Sequence, residues 1–129
     1  MDDSIVRGTQ LKDNVVKLRE CGVKEIHMRI ACPLVYPCVF LNFSSSRSNF
    51  DLFTRRVIRD LEGTSDLTEE ILKPYTDPDS VQYKKMLEVM AQHLGLDSLK
   101  FQRLDDLVKA IGIPKEDLCT HCWDNSSYL

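Results

Sequence analysis

The head of the chain is its strongest constraint. A polar loop carrying a glycine leads into a helix, and the helix leads into an alternating strand. Residues 2–10 read Asp-Asp-Ser-Ile-Val-Arg-Gly-Thr-Gln. The spacing of Leu11, Val15 and Leu18 predicts a helix over residues 10–21, with Gly22 placed to stop it. In residues 23–31, Ile26, Met28 and Ile30 alternate with His27 and Arg29, which predicts a strand. Loop, helix and strand in this order are the second half of a strand–loop–helix–strand unit, and the unit's first strand is expected to be absent. One or two strands cannot cover the faces of a parallel sheet, so the pattern reads as part of something larger.

Beyond the strand the pattern turns helical. Pro33 and Pro37 break regular structure, residues 39–43 read as a short extended piece, and residues 44–48 as a serine-rich linker. Ser48 or Asn49 is expected to cap a helix ending near Leu61, with Phe50, Phe53, Val57 and Leu61 on one stripe. A short helix is expected within residues 66–74. A stronger one is expected over residues 80–93, with Val81, Met86, Leu87, Met90 and Leu94 as its apolar face and Gly95 closing it. Leu99 and Phe101 read as a short buried connection. A last helix is expected over residues 104–111, with Leu104, Leu107, Val108 and Ile111 inward. No internal repeat is visible.

Composition removes several classes. The chain has 129 residues, 17 basic and 20 acidic, for a net charge of −3, so little would drive general nucleic-acid binding. No apolar run reaches membrane-spanning length, and no membrane partner is expected. Met1-Asp2-Asp3 lacks the basic-then-apolar order of a signal peptide, so a cytoplasmic location is expected. Five cysteines, an odd number, argue against a disulfide framework.

The loop suits a sugar phosphate. A helix N-terminus offers unpaired N–H groups and partial positive charge to an anion. Gly8 lets the backbone approach closely, Ser4 and Thr9 carry hydroxyls, and Arg7 adds a cation. Asp2 and Asp3 can accept from two vicinal ribose hydroxyls or face a divalent cation. An ordinary acidic turn before a helix is the other reading of the same spacing.

The run Asp2-Asp3-Ser4-Ile5-Val6-Arg7-Gly8-Thr9 resembles the phosphoribosylpyrophosphate loop of type I phosphoribosyltransferases. Its wording is closest to the glutamine phosphoribosylpyrophosphate amidotransferases of de novo purine synthesis. Lys24-Glu25-Ile26-His27-Met28-Arg29-Ile30 resembles the strand after that loop, Tyr36-Pro37-Cys38 a segment that follows it, residues 98–112 a late helix, and Cys119-Thr120-His121-Cys122-Trp123 the closing Cys-x-x-Cys. The resemblance implies an α/β fold, with this chain a mostly α C-terminal fragment holding one or two strands. Residues 1–43 would end the transferase domain. Residues 44–129 would form a mainly helical region with the cysteine tail, in which residues 44–96 stand as an elaboration outside the family pattern.

The implied reaction makes 5-phosphoribosylamine from phosphoribosylpyrophosphate and glutamine. The implied roles are magnesium and ribose binding by Asp2 and Asp3, and 5-phosphate binding by Ser4, Ile5, Val6, Arg7, Gly8 and Thr9. Gln10 stands where the family usually has a second threonine. The glutaminase nucleophile, the pyrophosphate-binding segment and the closing loop are not found in the sequence, so these 129 residues alone are expected to be inactive. The missing glutaminase and transferase segments, or a second copy, are the expected partners. The rival readings are a non-catalytic helical interaction module and a fragment of a salvage or regulatory phosphoribosyltransferase, although salvage enzymes do not normally carry the cysteine tail.

Cys119 and Cys122 have the spacing that lets two sulfurs reach one metal, but a redox pair or two unrelated thiols fit it as well. The resemblance implies three positions of a four-iron cluster, Cys38, Cys119 and Cys122, with the fourth ligand upstream of Met1. Cys32 is a conceivable substitute that the family does not use. Cys21 reads as a packed thiol, His121 as a solvated tail residue, His27 as structural, and His93 as suited to a helix C-terminus. Arg55, Arg56 and Arg59 read as a solvated face open to an acidic partner or a nucleotide, as do Lys84 and Lys85. Trp123 is expected to shield a site or fill a core edge.

Overall fold

The computed structural model describes residues 1–37 and 52–126. Three parallel strands form one sheet in the order β1 (Asp2–Ser4), β2 (His27–Cys32), β3 (Ser98–Phe101). Asp2 pairs with Ile30 and Ser4 with Cys32 on one side of β2, while His27 pairs with Ser98 and Ile30 with Phe101 on the other. The helices are α1 (Thr9–Glu20), α2 (Phe53–Glu62), α3 (Glu69–Leu72), α4 (Val81–Leu94), α5 (Leu104–Ile111) and α6 (His121–Asp124), with short 3₁₀ turns at Lys73–Thr76 and Lys115–Asp117. The α/β expectation holds. The sheet has one strand more than the upper expectation, because the unit's first strand is present as β1, and Leu99 and Phe101 lie in β3 rather than in a connection. Three or four residues beside a proline-free run carry too little periodicity to announce a strand; pairing with β2 is what makes them strands.

The strand order advances in one direction, so right-handed crossovers place α1 and α4 on the same face of the sheet. There α4 touches α1, α2 and β3. Ile5, Val15, Ile30, Val57, Met86, Met90, Leu94, Leu99 and Phe101 share one buried core. Residues from both described stretches, 1–37 and 52–126, contribute to that core. The opposite face of the sheet presents His27, Arg29, Ala31 and Lys100 to solvent. Ser98 Oγ there meets His27 Nδ1 at 2.9 Å and Arg29 Nη1 at 3.1 Å, and His27 Nε2 lies 3.0 Å from Glu25.

Helix ends explain most of the remaining differences. Ser80 Oγ accepts from Tyr83 N–H at 3.0 Å and starts α4, and Gly95, in the left-handed region, ends it. The start of α2 is Leu52 and Phe53, later than a cap at Ser48 or Asn49 would give. Phe50, like the extended piece expected over 39–43, lies outside the described residues. Val81 is 78% exposed rather than part of the apolar face of α4, because the first turn of the helix projects past the core, and Tyr83 is buried in its stead. The inward set of α5 is only half-buried, and Ile111 is exposed. Cys21 is exposed rather than packed, since it follows the last turn of α1. No helix among the described residues is long and apolar enough to cross a membrane.

One cluster ties the lower end of the sheet. Asp97 Oδ2 accepts from Ile26 N–H at 2.7 Å and from Arg19 Nη2 at 2.6 Å, and Asp97 N–H donates to the Ile26 carbonyl at 3.0 Å. Arg19 also donates to the Gly95 carbonyl at 3.2 Å and to Lys24. The Ile26 amide, then the Arg19 side chain, hold the Asp97 carboxyl below the ordinary aspartate range. A depressed carboxyl stabilises the fold above its unfolded-state value and loses that contribution as pH falls through its folded-state value. Asp97→Asn is therefore expected to melt at lower temperature than the parent at neutral pH, with the difference closing below about pH 4; melting scans from pH 7 to 2 check this. Ile30, 2% exposed in the central strand, gives a second expectation. Ile30→Ala should cost about 2–5 kcal/mol, read as a shifted urea midpoint at unchanged slope.

Candidate functional site

The loop leaves β1 at its carboxyl end and enters α1. Ile5 is buried and anchors it, while Asp2, Asp3, Arg7 and Thr9 are exposed. Asp2 Oδ1 accepts from Asp3 N–H at 2.9 Å, and Asp3 Oδ1 from Ser4 N–H at 2.7 Å, so each carboxylate folds over the next amide and keeps oxygen lone pairs outward. Gly8 is the N-cap of α1 in the left-handed region, at φ 76°, and no side chain caps the helix. The first-turn amides therefore retain donors for an anion, next to the positive end of the helix. Residues 2–11 and Asn14 line a cavity of about 630 Å³. Every loop residue singled out from the sequence, Asp2 through Thr9, borders this one space, and Gln10 is on it too.

The second wall was not visible in the loop's own sequence. Phe53 N–H, at the start of α2, donates to the Val6 carbonyl at 2.7 Å. Arg56 Nη2 donates to the Arg7 carbonyl, and its guanidinium lies over the Phe53 ring, 5.6 Å from the centroid. Behind the loop, Arg7, Lys12, Phe53, Arg56, Asp60 and His93 border a second cavity of about 550 Å³. His93, expected to serve the end of α4, faces the Phe53 ring at 6.3 Å.

The arginines of α2 divide. Arg55 is 6% exposed rather than solvated. Its Nε donates to the Val35 carbonyl at 2.6 Å, and its guanidinium lies 5.2 Å from the centre of the Tyr36 ring. Burial pulls the Arg55 pKa down. Burial, then the hydrogen bond to Glu69 at 2.9 Å, pushes the Tyr36 hydroxyl well up. An i, i+1 pair on a helix points about 100° apart, which sends Arg55 to the core and Arg56 to the loop.

The cysteine tail docks beside the residues that follow β2. The Cys122 carbonyl accepts from Val35 N–H at 3.0 Å and from Tyr36 N–H at 3.2 Å, and the Tyr36 and His121 rings lie 6.0 Å apart. Cys119 is exposed and Cys122 and Cys32 are half-buried; Cys38 lies outside the described residues. Among the described residues no three metal-capable side chains gather. Asp124 is half-buried. Burial would raise its carboxyl, but hydrogen bonds from Lys115, Ser126 and Thr120 outweigh that and hold it low. Trp123 is half-buried and lines a cavity of about 250 Å³ with Pro33 and Tyr83.

Gly8 makes the loop's stability testable. A β-carbon there would stand 3.2 Å from Phe53 Cγ, on a backbone that L-residues avoid. Gly8→Ala is expected to cost about 1–2 kcal/mol from the left-handed backbone alone, measured by chemical denaturation.

Over 123 residues, 95% of its length, the chain is 33% identical to an amidophosphoribosyltransferase of Methanocaldococcus jannaschii and covers 19% of that protein. It is 30% identical over 125 residues to one from Methanothermobacter thermautotrophicus, covering 96% of the chain and 20% of the relative. To one from Mycobacterium tuberculosis it is 32% identical over 126 residues, covering 96% and 19%. The matched part is the relatives' C-terminal portion, and the chain spans about a fifth of their length. No family model matches the chain.

Proposed function

We propose, for a chain that corresponds to the C-terminal portion of amidophosphoribosyltransferases, that residues 2–9 seat the ribose 5-phosphate end of phosphoribosylpyrophosphate. The observation that carries this is the cavity in which an uncapped helix N-terminus, a left-handed glycine and two exposed carboxylates border one space. A phosphate and a vicinal diol need that combination: backbone donors for the anion, and acceptors for the hydroxyls. Thr9 and Ser4 add hydroxyl donors. Gln10 leaves one hydroxyl fewer than the resembled loop, so backbone amides carry more of the phosphate's hydrogen bonding. Asp2 and Asp3 accept from the ribose hydroxyls. Their outward oxygens also suit magnesium, which when bound would offset charge on the leaving pyrophosphate.

In this reading the longer parent makes 5-phosphoribosylamine for purine synthesis, with glutamine as the ammonia source. Its glutaminase and remaining transferase segments are the partners of this chain, and a second copy is a further one. The 129 residues alone give no glutamine-dependent pyrophosphate release. An iron–sulfur cluster in the parent, on Cys38, Cys119, Cys122 and a thiolate from outside this sequence, belongs to the same reading. It is supported by the thiol pair's spacing and by the tie between Cys122 and the segment after β2. Iron and sulfide near zero in anaerobically purified full-length protein would remove the cluster.

Amide NMR titration of the chain with ribose 5-phosphate and magnesium tests the seat. Shifts concentrated in residues 2–11 are expected, and Asp2→Asn with Asp3→Asn should weaken binding by about tenfold or more, since two charge-assisted contacts are lost. A dispersed spectrum with no shifts would favour a helical interaction module instead.

A further inference from the structure

The first turn of α2 meets the loop at three consecutive residues. Phe53 N–H holds the Val6 carbonyl, Arg56 holds the Arg7 carbonyl, and the Phe53 ring lies against Gly8. The ring also carries the Arg56 guanidinium, so one aromatic plane supports both the glycine and the cation. No peptide bond among the described residues is cis. In a planar trans peptide the C=O and the N–H point in opposite directions. Drawing the Val6 and Arg7 carbonyls toward α2 therefore turns the following amides, Arg7 N–H and Gly8 N–H, away from it. Two successive amides on one side of a loop form a concave pair of donors for an anion.

We propose that Arg56, supported by Phe53, is a positioning residue for the phosphate loop: it fixes the Arg7 carbonyl and thereby aims the loop amides at the anion without touching it. This rests on the reading of residues 2–9 as the ribose 5-phosphate seat. The geometry gives α2 a part in binding although it lies more than 40 residues from the loop in sequence. Arg56 is exposed, so replacing it leaves the core intact.

Arg56→Met in the full chain keeps an apolar stem on the Phe53 ring and removes the donor. The dissociation constant for ribose 5-phosphate with magnesium, read from amide shifts, is expected to rise about tenfold. The Arg7 and Gly8 amide resonances should move in the ligand-free variant while its melting temperature stays within about 2 °C of the parent. Arg56→Lys, which keeps a donor and a charge, should recover binding to within about threefold. Lys12→Met removes an equal charge from the same rear cavity and should change affinity by less than about twofold at 0.15 M salt. Equal affinities for Arg56→Met and the parent would overturn the clamp and leave the seat standing. An equal loss in Lys12→Met would reduce Arg56 to a charge and overturn it as well. No binding by the parent chain would remove seat and clamp together.

Discussion

One carboxylate sets the register on which the sheet depends. Asp97 bonds both the amide and the carbonyl of Ile26 and holds Arg19 at the end of α1. Three connections converge there: the exit of α1, the entry to β2 and the turn from α4 into β3. A parallel pair has no tight hairpin to align it, so its register needs a fixed point supplied by tertiary contact. An exposed ion pair alone contributes little to stability, but an ionised acceptor for a half-buried backbone amide at the strand's first turn removes the alternative of a slipped pairing. The fixed point also lies at the amino ends of β2 and β3. The carboxyl end of β1 is thereby left to the loop, in keeping with where open α/β sheets place their ligands.

The loop is a composite. Its own residues supply the cavity, the glycine and the acids, and α2 supplies its back wall. Arg55 and Arg56 are neighbours in sequence with opposite tasks. The first is sealed against Val35 and Tyr36, where the cysteine tail also docks, and the second reaches the loop. One helix thus links the front of the sheet, through Phe53 and Arg56, to the tail, through Arg55.

The helices were legible because caps and periodicity are local. Gly95 stands where the chain's own pattern puts a helix end. The lining of the loop cavity was legible for the same reason: its residues are contiguous, from Asp2 to Thr9. What escaped was non-local. β1 and β3 are strands only through their pairing with β2, which no window of three or four residues contains. The burial of Arg55 escaped because charge pattern cannot distinguish a solvated arginine from one whose guanidinium finds a carbonyl and an aromatic face. The exposure of Val81 and Ile111 depends on where each helix overhangs the core, a property of packing rather than of periodicity.

The pairing of His27 with Ser98 joins residues 71 positions apart. Closing so long a connection loses chain entropy before the first ladder bond repays it. The capped α4 and the α1 unit draw on short-range contacts and can gain structure earlier. The central strand therefore acquires its second neighbour late in folding. Until then one hydrogen-bonding edge of β2 is unpaired, and the chain is most prone to pair with another of its kind during that interval.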